Sequence, residues 1–375
     1  MTVTDVPTTA YWRPGDPVGR RQFVDIGSVD LERGGRLPAV TLAYETWGRL
    51  NEARDNAVLV EHALTGDAHV EGPAGPGQAT AGWWDGLVGP GRPLDTDRWF
   101  VVASNVLGGC QGTTGPSSDA PDGQPWGSRF PSVTVRDQVA VEARLADHLG
   151  IDTFAAVLGG SMGGMRALEW ATSLPERVRT CIALASTAYA TADQIAWAQP
   201  QLLAIRSDPR YHGGDYYAHD TAPLDGLGIA RRIAHVTYRH EGELAERFGR
   251  AGQPGDAPVE EGGRFAVESY LDHHAGKLGA RFDANSYVVL TEAMNSHDVG
   301  RGRGGVAAAL TTFGGRLVVA GVDSDRLYPE RLSEEIAALR PGTILRHVTS
   351  RHGHDGFLVE IDRVGEIIRE ALEAG

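Results

Sequence analysis

Cysteine is almost missing from this chain: Cys110 and Cys181 are the only two in 375 residues. Two thiols provide no disulfide framework, so a reducing compartment, the cytoplasm, is expected. Lysine is scarcer still. Lys277 is the single one, and nearly all 35 basic residues are arginine. Acidic residues outnumber them at 49, leaving a formal charge of −14. That balance excludes a broad nucleic-acid-binding face, which must be basic. It leaves room for a small anionic ligand, because a local arginine cluster overrides the global field. No stretch reaches the run of about 18 apolar residues that a membrane helix needs, so no membrane association is expected. The opening "MTVTDVPTTAYWRPGDP" has neither a basic start nor an apolar core, and no secretory signal is expected there. Neither repeats nor low-complexity tracts occur.

What is present is an alternation of apolar runs and small-residue loops. "LPAVTLAYETWG", "NAVLVEHALTG" and "RWFVVASNVLGG" read as strands, the last two as buried ones that end in loops. "TVRDQVAVEARLADHLG" carries helical spacing and stops at Gly150. "FAAVLGG", "MGGMRALEWATSLP" and "VRTCIALAST" then read strand, helix, strand. The pattern predicts a mostly parallel, doubly wound α/β sheet. From residue 187 the strand signal fades into helical segments, with a polar Gly/Pro-rich loop "RAGQPGDAPVEEGGR" among them. Strands return in "GRLVVAGVDSDRLYP" and "GTILRHVTS", and "DRVGEIIREALEAG" closes the chain as an amphipathic helix. The expected division is a core over 1–186 and 306–375, interrupted by a helical lid over 187–305.

The stretch "VLGGSMGGMRALEWA" places Ser161 between glycines, after an apolar strand and before a helix. A serine on a sharp strand-to-helix turn needs small residues two before and two after it, here Gly159 and Gly163. The helix N-terminus then directs free N–H groups at an oxyanion forming beside the serine. A serine hydroxyl is a weak nucleophile, so a base and an orienting acid must follow on later strand ends. Asp323 or Asp325 stands after one such strand, and His352 or His354 after the next. The second oxyanion donor is expected from the loop in "VLVEHALTGDAHV", with the Leu64 N–H partnering that of Met162 and His62 organising the loop. No metal site is expected: His273 and His274 are neighbours on a helix and point to different sides. Cys110 reads as a small loop residue.

The motifs "HALTGDAHV", "GWWDGLVGPGRPLDTDRWFVVASNVLGGCQGTTGPSS", "GGSMGGM", "ARRIAHVTYR", "SHDVGRGRGG", "SDRLYP" and "GHDGFLVE" together resemble the homoserine O-acetyltransferase family of methionine biosynthesis. The resemblance runs from about residue 20 to the C-terminus and implies an α/β-hydrolase fold with a helical lid. It implies Ser161, Asp325 and His354 as the catalytic triad, choosing Asp325 over Asp323 and His354 over His352. It implies Arg231 on the substrate carboxylate, Asp355 on the substrate amino group and Tyr238 in the pocket wall. Acetyl-CoA and L-homoserine follow as substrates, with no permanently bound cofactor, and a homodimer as the assembly. Relatives that use succinyl-CoA, or serine as acceptor, share the scaffold. A plain esterase would have no use for an Arg231/Asp355 pair.

Overall fold

The computed structural model describes residues 11–219 and 221–373, so most of the opening segment read for a signal lies outside the described residues. Eight strands form the central sheet: β1 (Gln22–Asp25), β2 (Thr41–Trp47), β3 (Ala57–Glu61), β4 (Phe100–Ser104), β5 (Phe154–Gly160), β6 (Val178–Leu184), β7 (Arg316–Val322) and β8 (Ile344–Val348). Their spatial order is β1-β2-β4-β3-β5-β6-β7-β8. Only the β1–β2 and β2–β4 pairings are antiparallel; from β4 onward every neighbour is parallel.

The central strands are apolar throughout because both faces of the sheet are covered. Successive residues feed opposite cores, as a period of two requires. Leu59, Val157 and Cys181 pack on one side with helix α1 (Val135–Leu149) and helix α2 (Met162–Ser173). Val58, Val60, Leu158 and Ile182 pack on the other with Trp84 and Leu87. The terminal helix Ile361–Glu373 seals that second side through Val364, Ile367, Ile368 and Ala371, an apolar stripe at helical spacing. Local signals agree with these placements. Thr134 and Asp137 form a capping box at the start of α1, and Gly150 ends it at φ 70° in the left-handed region.

Between β6 and β7 the chain leaves the sheet and builds helices α3 (Ala192–Arg206), α4 (Leu224–Tyr238), α5 (Glu241–Phe248), α6 (Ala266–Gly279) and α7 (Ala284–Asn295). The two ends of this excursion are tied together: Val299 donates to the Ala188 carbonyl and Ala190 to that of His297. Its core joins Leu202, Leu227, Ala230, Phe282 and Leu290 to Leu64 and Met162, so the helices rest directly on the turn around Ser161. "NSYVVLTEAMN" is rich in β-branched residues yet forms α7, because Asp283 caps it by accepting from the Ser286 N–H. The Gly/Pro-rich stretch after α5 is irregular apart from one 3-10 turn, Val259–Glu261, and Gly252 pairs with Phe265 across its base.

A buried charge cluster lies under the Ser161 turn. Arg166 of α2 is fully buried and stands 2.7 Å from both Glu61 of β3 and Glu142 of α1. It also donates to the His62 carbonyl at 2.7 Å, and Trp170 Nε1 donates to Glu142 at 3.0 Å. Burial, reinforced by Glu142, pushes the Glu61 carboxyl well up despite Arg166. With Glu61 protonated, one guanidinium balances one carboxylate, which is the least costly charge state for a dry site. Removing the guanidinium strands the acids. Arg166→Met is therefore expected to lower folding stability by about 3–5 kcal/mol, read from urea denaturation at neutral pH.

Candidate active site

Ser161 follows β5 immediately and caps α2 with φ 57° and ψ −123°, a conformation that costs a non-glycine residue about 1–3 kcal/mol. The surroundings hold it there. Its N–H donates to the Leu184 carbonyl at 2.9 Å, and its own carbonyl accepts from Ser186 Oγ at 2.8 Å. The flanking glycines answer a definite crowding. A Cβ at Gly163 would lie 2.0 Å from the Glu61 carbonyl oxygen, and one at Gly159 would lie 2.5 Å from the same atom.

Asp325 sits in the loop after β7 and His354 on a 3-10 turn after β8 (Gly353–Asp355), so three of the four neighbouring parallel strands β5 to β8 carry the three groups to one end of the sheet. His354 Nδ1 and Asp325 Oδ2 are 2.6 Å apart, and both residues are buried. The other Asp325 oxygen accepts from the Leu327 and Tyr328 N–H groups at 2.8 Å each. Burial works against a charged imidazole, but the charge and hydrogen bond of Asp325 outweigh it and hold His354 above the ordinary histidine value. The alternative residues face elsewhere. Asp323 is exposed and accepts from the Ser350 N–H, which braces the histidine loop, while His352 lies against Glu243.

Leu64 and Ser161 line one cavity of about 310 Å³, and Met162 opens α2 directly after the serine, among the helix N–H groups that have no partner within the helix. His62 organises the Leu64 loop: its Nε2 accepts from the Val106 N–H at 3.1 Å and its Nδ1 faces the Ala63 carbonyl at 2.8 Å. Burial and Arg166 keep His62 neutral by pushing its pKa well down.

Arg231, Tyr238 and Asp355 line the same cavity as Ser161 and His354. Arg231 is the inward member of the arginine pair, since Arg232 turns away to Asp272 at 2.6 Å. The Arg231 guanidinium stands 5.4 Å over the Tyr238 ring and forms no ion pair among the described residues. Asp355 is 3.2 Å from Arg239, yet burial pushes its carboxyl up. The Tyr238 ring lies 5.7 Å from that of His354.

Sequence reasoning missed Tyr328. Its ring stacks on His354 at 5.0 Å and its hydroxyl reaches Ser161. Its place three residues after Asp325 in "SDRLYP" was the available signal. Arg281 was missed as well; it lines the cavity and donates to the Thr65 carbonyl at 2.7 Å. Among the described residues no group of His, Cys, Asp and Glu stands as a metal set. His273 and His274 present rings at 83° to each other, and burial pushes the Cys110 thiol up to about 12, out of nucleophilic range. No helix of the described residues is long and apolar enough to cross a membrane.

A serine on a strained turn, backed by an imidazole and a buried carboxylate on successive strand ends, defines an α/β-hydrolase-type site. The alpha/beta hydrolase fold family matches residues 56–361, and the chain belongs to it. Within that fold it belongs to the homoserine O-acetyltransferase family. The homoserine O-acetyltransferase of Thermobifida fusca is 63% identical over 99% of this chain and 98% of its own length. That of Mycobacterium tuberculosis is 56% identical over 99% and 97%. Among solved structures, homoserine O-acetyltransferase from Bacillus anthracis superposes with a TM-score of 0.85 at 26% identity, covering 94% of this chain and 97% of that one. Esterase E22 superposes equally well, at 0.85 and 25% identity over 94% and 99%, so backbone shape does not separate transfer from hydrolysis.

The His354 environment sets a pH test. The base must be neutral to accept the serine proton, and Asp325 stabilises its charged form. The rate of Ser161 acetylation by an activated acetyl ester is thus expected to fall on the acid side with a midpoint above about 6.5. Asp325→Asn should move that limb to lower pH and slow acetylation by a factor on the order of 10⁴, read from the burst of released phenol.

Proposed function

We propose that this chain transfers an acetyl group from acetyl-CoA to the hydroxyl of L-homoserine, with Ser161 carrying the group in between. The observation that carries the reading is the juxtaposition, in the cavity that holds Ser161 and His354, of Arg231, which forms no ion pair among the described residues, and Asp355, which also meets Arg239. A zwitterionic amino acid offers a carboxylate to one and an ammonium to the other. The names and identities of the full-length relatives support acetyl as the group and homoserine as the acceptor.

His354 takes the Ser161 proton as Oγ attacks the thioester carbon. The tetrahedral oxyanion is held by the Leu64 and Met162 N–H groups, each worth about 3 kcal/mol in such sites. The carbon–sulfur bond breaks, the thiolate leaves with the proton from His354, and an acetyl-serine remains. Homoserine then gives its hydroxyl proton to the same histidine and attacks the acetyl carbon. Collapse of the second intermediate frees O-acetylhomoserine and returns the proton to Ser161. Asp325 keeps the imidazole in one tautomer throughout and stabilises its charged form. Tyr328 and Tyr238, packed on either part of the histidine ring, limit its rotation.

Transfer requires that water lose to homoserine at the acetyl-serine. Ser161 is only 5% exposed, and Arg231, Tyr238 and Lys277 of the helices between β6 and β7 line the cavity over it, which restricts access to the cavity opening. Two free buried thiols fit a cytoplasmic location, and the exposed Ile195 and Leu203 on one face of α3 fit a homodimer built through the lid.

Steady-state CoA release with acetyl-CoA and varied homoserine is expected to give parallel double-reciprocal lines, with serine and succinyl-CoA poor replacements. Release that ignores every amino-acid acceptor would mean hydrolysis and overturn the reading. Ser161→Ala should leave the fold intact by circular dichroism and cut turnover by a factor on the order of 10⁶. Arg231→Met is expected to raise the KM for homoserine about 30-fold, since it leaves the substrate carboxylate without its charged partner.

A further inference from the structure

Three cations line the cavity over Ser161: Arg231 from α4, Lys277 from α6, and Arg281 just beyond α6. None of them forms an ion pair among the described residues. By contrast Arg232 of α4 pairs with Asp272, and Arg206 of α3 with Glu292. The three meet in one cavity, in a chain whose formal charge is −14. Asp67 and Asp355 line the cavity too, Asp355 already 3.2 Å from Arg239, yet burial, with Arg231 beside it, pulls the Arg281 guanidinium down from its ordinary value. Gathering unpaired like charges is unfavourable unless an anion relieves it.

A homoserine carboxylate relieves one of the three. Arg231 suits it, because it is only partly exposed and packs against Tyr238, next to His354. Arg281 is only partly exposed too and commits one nitrogen to the Thr65 carbonyl, in the loop that carries Leu64. Lys277 alone is exposed, at the mouth. It is also the one basic position of this arginine-rich chain occupied by lysine, a compact charge on a flexible stem that follows a phosphate without demanding a fixed plane. Phosphate is strongly hydrated and stays at an opening, while a small carboxylate goes deep. A donor without phosphate would leave Lys277 with nothing to bind.

We propose that Lys277 is a phosphate-binding residue at the cavity mouth, holding the phosphate-bearing part of the acetyl donor while the thioester reaches Ser161, with Arg281 behind it strengthening the positive field. This rests on the acetyl-CoA reading above and extends it to the half of the donor that takes no part in the chemistry.

The test compares donors with and without phosphate. Lys277→Met should raise the KM for acetyl-CoA about tenfold while the KM for acetyl-pantetheine, which has no phosphate, stays put. Lys277→Arg should recover most of the loss. Acetyl-3′-dephospho-CoA then places the contact: a persisting Lys277→Met loss assigns it to the diphosphate, and a vanishing loss to the 3′-phosphate. An equal loss with acetyl-pantetheine, or none with acetyl-CoA, overturns the proposal. Free CoA binding by calorimetry separates this from the parent reading. Wild-type protein that binds CoA more tightly than Lys277→Met supports the phosphate site even if homoserine is not the acceptor. Failure of both proteins to bind CoA overturns both. Lys277 is the only side-chain amine, so protection of it from an amine-selective reagent by CoA but not by pantetheine, read by mass spectrometry, is a second check.

Discussion

Everything at this site depends on how closely the start of α2 approaches the end of β3. The Glu61 carbonyl occupies the space that a side chain at 159 or 163 would need. That contact lets the chain reverse from strand to helix within one residue, leaving Ser161 at φ 57° with its hydroxyl on the cavity side. The same approach brings β3's own continuation, the Leu64 loop, beside the helix N-terminus, so Ser161 and the Leu64 and Met162 backbone meet through a single packing constraint. Arg166 fastens it from below by linking β3, α1 and the His62 carbonyl. Strain at the serine is thereby held by a buried charge cluster that ties β3, α1 and α2 together.

Over that rigid base the helices between β6 and β7 supply polarity. Their inward groups are mostly cationic, Arg231, Lys277 and Arg281, whereas Asp355 comes from the histidine loop of the sheet. The division has a consequence for selectivity. Esterase E22 shares the backbone, and a hydrolase needs only the serine, the base and the oxyanion donors. In the function proposed above, the charge arrangement across the cavity would separate an amino-acid acceptor from water, and backbone superposition does not register it. The core of these helices also includes Leu64 and Met162, so the element that carries the cavity's cations packs directly on the turn around Ser161.

Much of the sheet was legible because buried parallel strands are written as short apolar runs bounded by small residues. The elbow was legible because its steric demand falls on neighbours at fixed offsets. The choice of Asp325 over Asp323 was not, from spacing alone. Both follow β7, and only the loop's curvature turns one oxygen toward His354 and leaves the other residue bracing Ser350. Arg231 and Arg232 posed the same difficulty: adjacent helical positions differ by about 100° in direction, and the packing of α4 on α6 decided which faced Asp272. Tyr328 carried only its place in the SDRLYP segment and Arg281 no local pattern; both matter through what they touch.

The sequence by itself determined the order of the elements, the strained serine, the short set of acids and bases, and a strongly acidic net charge. Each of these follows from interactions between residues near one another along the chain, or from total charge. The tertiary structure alone decided which carboxylate meets the histidine, which arginine faces the substrate, and that the single lysine opens onto the same cavity as the serine. Those are contacts between side chains separated by tens to hundreds of residues. Their geometry is set by how sheet, loops and lid close on each other, and no local rule contains it.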